Sequence, residues 1–157
     1  MKNGFGYLEE ERNIVPSEES VPTETFFLVR ENDSKIIGMI NIRLAMNEKV
    51  RNSYGTIGYG IRPTERRKGY NKINLYLGLL ECQKRGMKQV MLSCDKINLG
   101  SAKTIQHFNG VLEKEYIKED NNSTMQVYWI DVDSAIESKT DEFLLFKERC
   151  PKEGTDR

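Results

Sequence analysis

The sequence lacks the features that mark membrane, secreted and zinc-dependent proteins. No stretch approaches the roughly 20 consecutive apolar residues that cross a bilayer. The first residues, Met1 to Gly4, lack the apolar run of a secretory signal peptide. The single histidine, His107, has no spaced partner that would complete a zinc motif. We therefore expect a cytoplasmic protein without a metal centre and without a membrane partner.

Cysteine and net charge are also scarce. The three cysteines, Cys82, Cys94 and Cys150, are odd in number and match neither a disulfide framework nor a Cys-x-x-Cys pair. Reduced thiols are therefore expected. The 24 Lys and Arg side chains balance 24 acidic ones, so the formal net charge is zero. A neutral chain has no general attraction for nucleic acid, and any anion site must be local.

The length of 157 residues is typical of one folded unit. Residues 1–24 are polar and acidic and show no sustained helical or strand period, so they predict an irregular arm. Residues 25–132 carry the strand and helix patterns of the main domain. Residues 133–157 form a tail in which 141–149 predict a short amphipathic helix.

Local patterns predict the element order β-β-β-α-β-α-β-β-α, which indicates a mixed α/β domain. Helices are indicated by apolar residues at helical spacing, and strands by apolar runs that end at turn residues such as Pro63. Residues 46–56 are mostly polar and predict a loop. The predicted strands are 26–29, 36–44, 57–61, 90–93, 111–117 and 124–132, and the other predicted helices are 68–85 and 98–108.

The most informative segment is residues 59–71, which join a predicted strand to a predicted helix. A helix start presents unpaired backbone N–H groups and the positive end of the helix dipole, and both favour a bound phosphate. Gly69 lets a ligand approach the main chain, while Arg66, Arg67 and Lys68 add positive charge. Taken alone, such a segment is more often a solvated basic turn than a ligand site.

Two blocks of the sequence resemble the GNAT superfamily of N-acetyltransferases over roughly residues 25–132. The family's signature, Q/R-x-x-G-x-G/A, is matched by Arg66 and Gly69, whereas Asn71 stands in the last position. A second family block resembles Asn98, Ser101 and the helix that runs to Gly110. The resemblance implies a central mixed sheet flanked by helices, here with a shortened N-terminal region.

The resemblance also implies acetyl-CoA as co-substrate and assigns residues to its parts. The strand around Ile61 would bind the pantetheine arm, and Asn98 and Ser101 would line the other side. The signature residue Arg66 belongs to the same site. The backbone N–H groups implied to hold the pyrophosphate are those of Arg67, Lys68, Gly69, Tyr70 and Asn71.

The chain departs from the family at the position of the usual catalytic acid. Many members use a tyrosine of the second helix to protonate the departing thiolate, but the best-matching residue here is Ile105. Tyr59 and Tyr54 lie on or just before the strand that leads to the turn, so either could act through water. Simple packing is the commoner role of such a tyrosine. We name Tyr59 as the candidate catalytic residue.

Other polar residues have simpler interpretations. Glu65 is a carboxylate favoured by the helix dipole, and His107 is a surface residue. Cys94 is a small buried side chain rather than a nucleophile.

The predicted function is transfer of an acetyl group to an amine of a small molecule or a protein, by direct attack without an acyl-enzyme. A non-catalytic acyl-CoA-binding or regulatory protein remains an alternative, and Ile105 favours it. A nucleotide-phosphate module is disfavoured because residues around Gly69 lack the Gly-x4-Gly-Lys-Ser/Thr spacing. The short N-terminal region suggests that a partner chain, such as a second copy in a homodimer, completes the acceptor site.

Overall fold

The computed structural model describes residues 5–8 and 15–149. Short turns of π- and 3-10-helix at Val50–Tyr54 and Pro63–Glu65 lie on either side of the fourth strand. The strands are β1 (Phe5–Leu8), β2 (Thr23–Arg30), β3 (Lys35–Arg43), β4 (Ile57–Ile61), β5 (Gln89–Asp95), β6 (Val111–Ile117) and β7 (Thr124–Asp131), and the helices are α1 (Tyr70–Lys84), α2 (Leu99–His107) and α3 (Val132–Arg149).

The α/β class is confirmed, but the strands divide into two antiparallel sheets rather than one central mixed sheet. The first has the order β1-β2-β3-β4, and the second has the order β5-β7-β6. One bridge between Gly55 and Leu92 joins them, supported by a hydrogen bond of 2.7 Å from Thr56 N to Met91 O. The two sheets therefore meet just before the start of β4 and at the middle of β5.

Gly55 makes this junction possible because its backbone conformation disfavours a side chain and its close neighbours leave no room for one. Its φ is 72°, in the left-handed region that favours glycine. A Cβ placed there would lie 2.5 Å from Met91 O. The close approach of the two sheets thus requires glycine, and β4 and β5 share no longer ladder in the residues that the structure describes.

The core lies between the sheets and the helices. Helix α1 packs on β3 so closely that a Cβ on Gly78 would collide with Ile40 Cδ1. Tyr76 of α1 stacks on Phe143 of α3 with ring centroids 4.5 Å apart, and Phe108 lies 5.8 Å from Phe143. The last helix therefore contributes to the same core as the first two.

Two sequence predictions are wrong in part. Residues 5–8, predicted to be irregular, form β1, in which Phe5 pairs with Leu28 of β2. Four residues are too few for a recognisable period, so pairing with β2 defines the strand. Helix α3 begins at Val132 rather than at residue 141, and Asp131 Oδ1 accepts from Ser134 N at 2.9 Å.

The loop predicted over 46–56 contains the short turn Val50–Tyr54. The other strands and helices lie where the sequence predicts them, with ends shifted by at most three residues. The predicted irregular residues 9–14 and the end of the tail, 150–157, lie outside the described residues. Among the described residues, no helix is long and apolar enough to cross a membrane.

Candidate functional site

A groove of about 610 Å³ opens between the β4–α1 segment and the start of α2. This volume falls within the range of small-molecule and cofactor sites. We call its two sides the first wall and the second wall. The first wall comprises Tyr59, Gly60, Ile61, Glu65, Arg66, Arg67, Gly69, Tyr70, Asn71 and Lys72, and the second wall comprises Ile97, Asn98, Leu99, Gly100, Ser101 and Thr104.

The turn before α1 presents main-chain donors to the groove. Arg67 and Gly69 have φ values of 61° and 81°, both in the left-handed region. Gly69 is the residue that caps α1, and as a glycine it offers the first turn no side-chain acceptor. A Cβ on Gly69 would meet nothing within 4 Å. The first N–H groups of α1, which lack partners within the helix, are thus accessible to an anion.

Glu65 lies beneath this turn in an unexpected network. Its side chain is only 3% exposed, and it accepts from Lys35 Nζ at 2.6 Å, Lys68 Nζ at 3.0 Å and Arg30 Nη1 at 3.1 Å. These cations, Lys35 foremost, lower the pKa of Glu65 from 4.5 to about 2. Arg30 also donates to Tyr70 Oη at 3.1 Å, which ties β2 to the start of α1.

The edge of β4 that borders the groove also carries main-chain groups. Arg62 N donates to Ile37 O of the neighbouring β3 at 2.8 Å. Because hydrogen-bonding direction alternates along an antiparallel strand, the backbone groups of Ile61 and Tyr59 point away from β3. They therefore face the opening between the two sheets. Ile61 O accepts from Arg66 Nε at 3.1 Å, which fixes the side chain of Arg66 beside the strand.

Tyr59 connects the two walls. Its Oη lies 2.7 Å from Ser101 Oγ of α2, and either hydroxyl can donate. Burial raises the pKa of Tyr59 to about 12, although its hydrogen bonds to Ser101 and Asn71 act in the opposite direction. The phenol therefore stays protonated at neutral pH, which makes it a hydrogen-bond donor rather than a base.

Comparison with known proteins decides the family. A sequence model of the acetyltransferase (GNAT) family matches residues 4–110. The chain belongs to this family. A comparison with curated protein sequences gives no significant match.

Solved GNAT acetyltransferases share the fold. Ribosomal-protein-S5-alanine acetyltransferase from Vibrio fischeri is 18% identical with a TM-score of 0.59, and the match covers 71% of this chain but only 62% of that one. A spermidine N-acetyltransferase SpeG variant from Vibrio cholerae is 14% identical with a TM-score of 0.60, covering 74% and 70%. A GNAT acetyltransferase from Streptococcus pneumoniae is 20% identical with a TM-score of 0.54, covering 68% and 66%.

The fold brings the two GNAT blocks to one groove. Of the residues predicted to bind the cofactor, all but Lys68 line it, and the candidate catalytic Tyr59 lies there too. Lys68 instead directs its amino group to Glu65. Asn98 Oδ1 accepts from Ser101 N at 3.1 Å, so Asn98 caps α2 while it borders the groove.

Other residues considered from the sequence lie elsewhere or act differently. Ile105, which the resemblance matches to the usual acid, is fully buried in the core and is not a lining residue. His107 pairs with Glu142 of α3, with Nε2 2.7 Å from the carboxylate. Burial raises the pKa of the Cys94 thiol, as suits a small buried side chain. Tyr54 is 49% exposed and stacks against Arg43 outside the lining.

Proposed function

We propose that this GNAT-family protein transfers an acetyl group from acetyl-CoA to an amine by direct attack. The observation that carries the proposal is that the free helix start of the signature and the second family block face each other across the same groove. The groove is lined by N–H donors, by positive charge and by a protonated phenol. These are the features that a phosphate-containing thioester donor requires.

The pyrophosphate of the donor is assigned to the backbone N–H groups at the start of α1. Arg66 and Arg67 are exposed beside them and supply charge. The pantetheine arm is assigned to the free edge of β4 at Ile61, with Asn98 and Ser101 opposite. The backbone donors proposed for the pyrophosphate belong to Arg67, Lys68, Gly69, Tyr70 and Asn71.

In the proposed reaction, the neutral amine nitrogen attacks the thioester carbonyl carbon and a C–N bond forms. The carbonyl electrons move to oxygen, and the backbone N–H of Ile61, which faces the groove, is the proposed oxyanion donor. When the carbonyl reforms, the C–S bond breaks and the sulfur leaves as thiolate. The amine nitrogen loses one proton to water, and the thiolate gains one, so the products are an amide and CoA.

Tyr59 is proposed to stabilise the departing thiolate through its hydroxyl hydrogen. It lies on β4 beside Gly60 and Ile61, and its neighbour Ser101 can accept or donate in turn. With a pKa of about 12, the phenol holds its proton throughout the working pH range. A donor aimed at developing charge in a dry site typically accelerates a reaction about 10² to 10³-fold.

The acceptor is proposed to be an amine of a small molecule or a protein. The SpeG structure is named for spermidine, and the Vibrio fischeri structure for an alanine of ribosomal protein S5. Both names describe amine acceptors, so they support an amine as the acceptor but do not identify which amine. A homodimer that completes the acceptor side remains part of this proposal.

A non-catalytic acyl-CoA-binding protein is the second candidate. The observation that favours it is Ile105, an apolar residue at the position of the usual acid, fully buried in the core. Such a protein would keep the groove and the donor affinity but would lack turnover.

Thermal melting with CoA, acetyl-CoA, ADP and ATP tests the site, because a ligand that binds only the folded state raises Tm. We expect the largest rise with acetyl-CoA or CoA. Turnover with a panel of polyamines, aminoglycosides and peptides then separates the candidates. Release of CoA with at least one amine supports the enzyme. A Tm rise without any turnover supports the binding protein, and no rise with either CoA species removes both.

A further inference from the structure

Asn71 departs from the family signature in a way that leaves a polar atom unsatisfied. The signature has glycine or alanine at this position, whereas Asn71 places a carboxamide in the first turn of α1. Its Oδ1 is buried and has no hydrogen-bond partner among the residues that the structure describes, while the residue as a whole is only partly buried. Asn71 also lines the groove. A buried acceptor without a donor costs stability, so a ligand that supplies the donor would be favoured there.

Asn71 lies close enough to the Tyr59 hydroxyl to lower the pKa of the phenol. Its Oδ1 is the end of the amide that has no partner, and it is therefore the end that remains for a ligand. Since an amide oxygen only accepts, the partner must carry an N–H or an O–H group.

The chemistry of acetyl-CoA, the proposed acetyl donor, indicates which part of the molecule can donate a hydrogen bond to Oδ1. Phosphate oxygens at neutral pH are acceptors and would oppose Oδ1. The pantetheine arm carries one hydroxyl and two amide N–H groups. Asn71 lies between the turn assigned to the pyrophosphate and the phenol of Tyr59, which is where this arm would leave the phosphates. We propose that Asn71 Oδ1 accepts a hydrogen bond from the hydroxyl or an amide N–H of the pantetheine arm.

This inference rests on the proposed function but predicts a separate result, the effect of a substitution at Asn71 on CoA affinity. If Asn71 merely fills space beside the phosphates, then alanine, a residue of the family signature, would let them approach at least as closely. Asn71→Ala would then bind CoA as tightly as the natural protein or more tightly. If Oδ1 accepts from the arm, the same substitution weakens CoA. The direction of the change separates the two roles.

Calorimetric titration with CoA and with 3′-phospho-ADP, which is CoA without its pantetheine arm, provides the test. For Asn71→Ala we expect the Kd of CoA to rise about tenfold, as for loss of one buried hydrogen bond. The Kd of 3′-phospho-ADP should stay within about twofold, because the phosphates do not contact Oδ1. The Tm of the free protein should not fall much, since an unsatisfied acceptor has been removed.

Asn74→Ala is the matched control. Asn74 lies one turn further along α1, and its Oδ1 is also buried without a partner among the described residues. Its Nδ2 donates to Met39 O at 3.0 Å, and it does not line the groove. This control should lower Tm and leave the Kd of CoA unchanged in the folded fraction.

Asn71→Leu, which keeps the volume and removes the polar ends, should weaken CoA as Asn71→Ala does. Equal loss of CoA and 3′-phospho-ADP, unchanged CoA affinity in Asn71→Ala, or wild-type affinity in Asn71→Leu would each overturn the inference. Failure of the natural protein to bind CoA would instead overturn the proposed function.

Discussion

The two walls of the groove differ in charge and in origin. The first wall carries Glu65, Arg66, Arg67 and Lys72 together with the free N–H groups of α1. The described lining residues of the second wall include no charged side chain, and Ile97 and Leu99 there are 86% and 63% exposed. From this contrast we expect the first wall to bind the phosphates of CoA and both walls to contact its uncharged pantetheine arm.

The first wall also depends on distant residues, whereas the second wall is built from residues 97–104. Arg30 and Lys35 come from β2 and β3 and meet the carboxylate of Glu65 below the turn. In the second wall, Asn98 caps its own helix through Ser101 N. A change in the first wall should therefore affect charge, affinity and stability together, whereas a change in the second wall should be local.

The largest expected effect comes from Gly69→Asp in the first wall. The substitution places a carboxylate where the phosphates are proposed to bind and strains a residue whose φ is 81°. We expect the Kd of CoA to rise more than about 100-fold, measured by calorimetry.

Gly86→Asp is the control for backbone strain, because Gly86 has φ 72° and open space around its Cβ position just beyond the other end of α1. It should cost similar stability, about 1 kcal/mol, without changing affinity. Equal loss of affinity in both variants would remove the turn from the site.

Tyr59→Phe tests the connection between the walls. Loss of the hydroxyl that is proposed to stabilise the thiolate should lower kcat about 100-fold and change KM less. Because the pKa of Tyr59 is about 12, the deficit should be constant between pH 6 and 9. Tyr116→Phe, on β6 and outside the lining, is the matched control. A Tyr59→Phe protein with wild-type kcat at every pH would contradict the assignment.

Glu65→Gln tests whether charge stabilises the first wall. The pKa of Glu65 is lowered from 4.5 to about 2, so its ionised form stabilises the fold above pH 4.5 and that contribution is lost as the pH falls towards 2. Glu65→Gln should lower Tm by several degrees at pH 7, and the difference from the natural protein should shrink between pH 4.5 and 2. Exposed Glu119→Gln should change Tm little. A Tm difference that is constant with pH would show that the carboxylate acts by packing alone.

Leu99→Ser in the second wall should have the smallest effect. Leu99 is 63% exposed, so the bound arm would cover only part of its side chain. We expect the Kd of CoA to rise about threefold and that of 3′-phospho-ADP to stay the same. Leu144→Ser is the matched control, because it also removes an exposed leucine but lies on α3 outside the groove lining. A rise of more than about 30-fold in the Kd of CoA would mean that the second wall contributes as much to CoA binding as the first.

Local patterns were sufficient to predict the ends of elements where a turn residue or a helix cap stands at the boundary. Pro63 follows the end of β4, Gly86 follows the end of α1, and Asn98 caps α2, so these boundaries could be predicted from neighbouring residues. The start of α3 was missed because Val132 continues the apolar run of β7, while the cap from Asp131 that ends the strand is a single contact. The strand β1 was missed because only its pairing with β2 defines it.

The sequence by itself determined the order of elements from β2 to α3, the polar turn with its free helix start, and the family, because each of these depends on residues close together in the chain. Only the tertiary structure decided which groups meet across the groove. It placed Ser101 2.7 Å from Tyr59 and brought Lys35 to 2.6 Å from Glu65. These contacts join residues 42 and 30 positions apart. Local propensity cannot define such contacts, because they arise from the way the sheets and helices pack together.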